Sequence, residues 1–91
     1  MIIQEQYKEL GFEIYDDRVP YVHIKKVENG YSDPWRTLTQ IIISEYDLVP
    51  ERLIIELTYK YCMVNREETK VVFDGKCDTI EFLKQILEAV C

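Results

Sequence analysis

Residues 34–46 read PWRTLTQIIISEY, and the fold turns on whether this stretch is helix or strand. Trp35, Leu38, Ile42 and Tyr46 recur at helical spacing, and Ser32-Asp33 ahead of Pro34 supplies a capping side chain with proline at the first helical position. This spacing predicts a helix over 34–46. Thr37, Thr39 and Ile41 to Ile43 are β-branched, however, and such side chains lose rotamer freedom in a helix, so strand stays open as the alternative for 37–44.

On the C-terminal side, Leu53, Ile55, Leu57, Tyr59, Tyr61 and Met63 alternate with Glu56, Thr58, Lys60 and Cys62, which predicts a central strand over 52–64. Asn65 to Thr69 forms a polar turn, and Lys70 to Asp74 returns as a partner strand ended by Gly75. Asp78 with Glu81 three positions on has capping-box spacing. The stripe Ile80, Leu83, Ile86, Leu87 and Val90 then predicts a C-terminal helix.

On the N-terminal side, Ile3, Tyr7 and Leu10 share one helical face over 4–10, with Gly11 placed as the left-handed residue beyond the helix end. Phe12 to Tyr15 and Tyr21 to Val27 alternate as a hairpin around Asp16-Asp17-Arg18, and Asn29-Gly30 signals a turn. The order that results is α-ββ-α-ββ-α. It describes an α+β domain, an antiparallel sheet of two hairpins with helices packed on one face, spanning 1–91 as a single domain.

The composition narrows the function classes. With 47% apolar residues and three Gly and three Pro, the chain has the material for an ordered core. No apolar run approaches the roughly 18 residues that span a bilayer, and Met1-Ile2-Ile3-Gln4-Glu5 lacks the basic flank of a signal peptide, so a cytoplasmic protein is expected. Cys62, Cys77 and Cys91 are odd in number and share no metal-ligand spacing, which argues against a disulfide framework or a zinc site. No GxSxG, GxxxxGK[ST] or HExxH pattern occurs. We therefore expect no catalytic residues, no cofactor and no metal. His23 sits in an alternating strand and reads as half-exposed, without a visible partner for base catalysis.

Charge is the remaining signal. Seventeen acids against eleven bases give a net charge of −6, which disfavours phosphate binding and hence direct contact with nucleic acid. The imbalance is concentrated: 1–17 carries five acids and one base, 28–56 carries six acids and two bases, and Arg18, Lys25 and Lys26 make 18–27 basic. Glu5 and Glu9 stand one helical turn apart, a like-charge spacing that costs a few tenths of a kcal/mol, roughly, and serves no helix. Carboxylates about 6 to 7 Å apart approximate a row of phosphates to a cationic groove. Glu5, Glu9, Glu13, Asp16, Asp17, Asp33, Glu45, Asp47 and Glu51 are the candidates for such a row.

In length, acidity and lack of catalytic motif, the whole chain resembles the small acidic phage proteins that imitate DNA, the anti-restriction nuclease proteins of T-even phages in particular. The resemblance implies a dimeric α+β inhibitor whose negative surface occupies the DNA site of a modification-dependent restriction endonuclease in the host cytoplasm. The partner would be a basic DNA-binding protein, with no membrane involved and a homodimer doubling the charge. The basic stretch 18–27 departs from a uniformly acidic surface. A protein-interaction adaptor or regulatory subunit, binding through an exposed strand edge or an aromatic patch, is the alternative.

Overall fold

The β-branched run, not the helical spacing, decides 34–46. In the computed structural model, which describes residues 4–33, 35–45 and 52–90, this stretch forms a ten-residue strand, Arg36–Glu45. It is hydrogen-bonded on both sides. The elements in chain order are helix α1 (Gln4–Glu9), strands β1 (Glu13–Asp16), β2 (Val19–Asp33), β3 (Arg36–Glu45), β4 (Arg52–Tyr61) and β5 (Glu67–Lys76), and helix α2 (Ile80–Val90). All five strands join one antiparallel sheet in the order β1-β2-β3-β4-β5.

The expected α-ββ-α-ββ-α arrangement, two hairpins with helices packed on one face, is thus corrected to a continuous five-stranded meander with a short helix at each end. The physical reason lies in Ile41-Ile42-Ile43. A strand flanked on both edges and covered on one face tolerates an uninterrupted apolar run, and the branched side chains fit a pleated surface better than a helix. Trp35, the predicted first anchor of a helix, instead lies in the β2–β3 turn.

Register places the core. Ile41 pairs with Leu57, Ile43 with Ile55 and Leu38 with Tyr59. An extra residue at Thr39 shifts the ladder between Leu38 and Gln40, and this bulge keeps Leu38 on the same face as Ile41 and Ile43. Without it Leu38 would face outward. β2 adds His23 opposite Ile43 and Lys25 opposite Ile41, so both lie on this inner face. Asn29-Gly30, expected as a turn, is absorbed into β2 as a register shift between Lys26 and Gly30.

The helices supply anchors to that face. Tyr7 of α1 and Leu83 of α2 are buried in one cluster with Ile41, Ile43, Leu53, Ile55 and Leu57. Gly11 closes α1 as expected: its φ is +92, and its N–H donates to the Lys8 carbonyl at 2.9 Å. The cap of α2 differs from expectation. The Thr79 hydroxyl, not Asp78, accepts from the Phe82 N–H at 3.3 Å. On the outer face Thr58 is buried but satisfied, accepting from Gln40 Nε2 at 3.2 Å and sharing a hydrogen bond with Thr69 at 3.1 Å. Among the described residues no helix is long and apolar enough to cross a membrane.

Ile55 is fully buried between Ile43 and Phe73, whereas Val71 is about half exposed. Ile55→Ala should cost about 3 kcal/mol in urea unfolding, from lost burial plus the residual cavity. Val71→Ala should stay within about 0.5 kcal/mol. Equal losses at the two positions would contradict this assignment of faces.

Candidate functional site

Strand alternation that puts His23 on the inner face also buries it. Its side chain is 5% exposed, not half-exposed as the sequence suggests, and its Nε2 lies 3.0 Å from Glu45 Oε1. The partner comes from the end of β3, 22 residues away. Above the imidazole lies Tyr7, stacked with ring centroids 3.8 Å apart and an interplanar angle of 14°. Tyr7 in turn meets Phe12 edge-on at 6.4 Å. One aromatic column therefore ties α1 to β2 and β3.

Electrostatics follow the burial. Desolvation pushes the Glu45 carboxyl upward, but the His23 hydrogen bond and the approach of the Tyr7 hydroxyl outweigh it and leave Glu45 below its ordinary value. Burial, reinforced by the Glu45 charge, pushes the Tyr7 phenol far above its usual range. The phenol oxygen feels Glu45 without reaching good hydrogen-bond geometry, and it is a buried polar atom with no partner. Cys77, also buried, has its thiol pushed up by desolvation. The set fastens the fold and holds the partly exposed Glu45 carboxylate ionised. Among the described residues no group of three His, Cys, Asp or Glu side chains could hold a metal ion.

The nine candidate acids are distributed unevenly. Glu5 and Glu9 are exposed on α1, Glu13 on β1 and Asp17 in the β1–β2 turn. Asp16 is half-buried and accepts from the Arg18 backbone N–H at 2.9 Å and from its guanidinium at 3.2 Å, contacts that lower its pKa in that order of weight. Glu45 is spoken for by His23. Asp33 ends β2 at the opposite end of the sheet, its side chain undescribed, and Asp47 and Glu51 lie outside the described residues. The meander does unite two acidic stretches. The β1–β2 turn and the end of β3 fall at the same end of the sheet, so Asp16, Asp17 and Glu45 share that end.

The opposite end has another character. The β2–β3 and β4–β5 turns meet there through the Cys62 N–H donating to the Trp35 carbonyl at 2.8 Å. Trp35, Met63 and Val64 are 62%, 87% and 58% exposed. Beside them the Arg36 guanidinium sits 4.2 Å over the Tyr59 ring, and the Tyr61 hydroxyl donates to Glu68, raising the phenol and lowering the carboxyl. Sequence reading allowed for an aromatic patch but missed its joining of Trp35 to Met63 and Val64, and missed the His23 cluster, because each depends on strand register.

Comparison with protein-family models, with curated proteins and with solved structures finds no match.

A group with a depressed folded pKa contributes stability above its unfolded value and loses it as pH falls. For Glu45 that loss begins near 4.5 and continues downward. Urea midpoints of wild type and Glu45→Gln should differ most at pH 6 to 7 and converge as pH drops through 4 to 3. A constant difference would mean that the carboxylate charge contributes nothing.

Proposed function

We propose that this protein is a non-enzymatic inhibitor that presents carboxylates to the DNA-binding groove of a basic protein, such as a restriction endonuclease. The observation that carries the reading is the exposure of Glu5, Glu9, Glu13 and Asp17. No ion pair engages them among the described residues. Four exposed acids fall within the first 17 residues, and the like-charge spacing of Glu5 and Glu9 on α1 does nothing for helix stability. Glu45 is left out of the surface, since its carboxylate is held by the buried His23, whereas Asp16 is held by the solvent-exposed Arg18. Asp47 and Glu51 lie outside the described residues and carry no part of this reading.

A second reading, an adaptor binding through an aromatic patch, has Trp35, Met63 and Val64 in its favour. Salt separates the two. Charge-driven docking weakens steeply with ionic strength, and apolar docking does not.

The test is DNA cleavage by a modification-dependent restriction endonuclease in the presence of the protein at about 50 and 300 mM salt. Inhibition should be strong at low salt, weaken at least tenfold at high salt, and be relieved by excess DNA. The triple variant Glu5→Lys, Glu9→Lys, Asp17→Lys should abolish it while the urea midpoint stays nearly unchanged, as exposed substitutions do. Inhibition that survives the triple variant would remove these acids from the account.

A further inference from the structure

Lys25 belongs to the one basic stretch of the chain, and the acidic surface leaves it unused. Its neighbour Lys26 is exposed on the outer face, but Lys25 pairs with Ile41 on the inner face and is half-buried there. A lysine amid core residues calls for an explanation. Gly11 leaves room for its stem: a Cβ at that position would stand 3.2 Å from Lys25 Cε, in a backbone conformation, φ +92, that other residues rarely adopt. The ammonium lies 6.0 Å from the Phe12 ring centroid, at the outer limit of a cation–π contact.

Lys25 lines a cleft of about 430 Å³ together with Phe12, Ile41 and, from α2, Lys84, Leu87 and Glu88. That volume lies within the roughly 300 to 1,000 Å³ of small-molecule sites, and the mixture of apolar surface and a few charged groups is typical of them. Two lysines and one glutamate line the cleft, so its lining residues carry a net charge of one positive in an otherwise acidic protein. No ion pair engages Lys25 or Lys84 among the described residues.

We infer that this cleft binds a small amphipathic monoanion, a free medium-chain carboxylate. The alkyl tail lies against Phe12, Ile41 and Leu87, and the carboxylate sits between Lys25 and Lys84. Charge complementarity selects an anion, and the apolar surface selects one with a hydrocarbon body. Glu88 repels the head group and competes for Lys84 one helical turn away. This inference is independent of the acidic surface.

The probe is decanoate below its micelle-forming concentration, followed by calorimetry and by amide chemical shifts. Saturable binding is expected, with shifts at Phe12, Ile41 and Leu87. Affinity should rise roughly threefold to fourfold per added CH2 from octanoate to decanoate. Lys25→Met and Lys84→Met, which keep the apolar stems, should each weaken it about tenfold. Glu88→Gln should tighten it about threefold, a gain that misfolding cannot imitate. Equal binding of decanol, shifts confined to other residues, no saturable binding, or weakening by Glu88→Gln would each overturn the assignment.

Discussion

The pairing of β3 with both neighbours is the constraint from which the rest of the structure follows. Ile43 lies between His23 on β2 and Ile55 on β4, and Ile41 between Lys25 and Leu57. Shifting β3 by one residue would turn every one of its inner side chains outward, so register is fixed by burial, not by turn chemistry alone. The bulge at Thr39 belongs to the same constraint. It lets a strand with Leu38, Ile41 and Ile43 on one face, an odd spacing for pure alternation, keep all three buried.

How much of this was legible follows from the same residues. β4 is readable because Leu53, Ile55, Leu57 and Tyr59 alternate without interruption, and α2 because Leu83, Ile86 and Leu87 repeat at helical spacing. Gly11 is readable because a left-handed residue after a helix favours glycine. β3 is not, because Ile41-Ile42-Ile43 satisfies the helical and the extended period equally, and a central strand lacks the polar alternation that marks a half-exposed one. Asp33-Pro34 suits a hairpin turn as well as a helix start. That single misreading also hid the candidate site. With 34–46 helical, Glu45 stands outside the sheet and His23 has no partner; with β3 in register, the two are brought within 3.0 Å.

The meander divides the surface chemically. Successive antiparallel strands send the β1–β2 turn, the end of β3 and the start of β4 to one end and the β2–β3 and β4–β5 turns to the other. The first end gathers Asp16, Asp17 and Glu45, and the second gathers Trp35, Met63, Val64, Arg36 and Arg66. Local sequence shows the residues of each group. Only topology shows which of them meet.

Glu45 illustrates why a count of acids overstates an acidic surface. Its carboxylate accepts from a buried imidazole beneath the Tyr7 ring, and freeing it for a partner would leave His23 buried without its hydrogen bond. An unsatisfied buried polar group costs about 1 to 3 kcal/mol, more than the roughly 0 to 1 kcal/mol that a single exposed charge pair contributes. Glu45 therefore stays where it is. Asp16 is held less firmly, since its guanidinium partner is solvent-exposed and such pairs contribute about 0 to 1 kcal/mol, so a cationic groove can compete for it. Screening sets the final bound. At physiological salt, exposed charges act together only within about 8 Å, so Glu5 and Glu9, one turn apart, act as a unit. Carboxylates farther apart than this act separately, and such long-range charge acts on the rate of approach of a charged molecule more than on the strength of its binding.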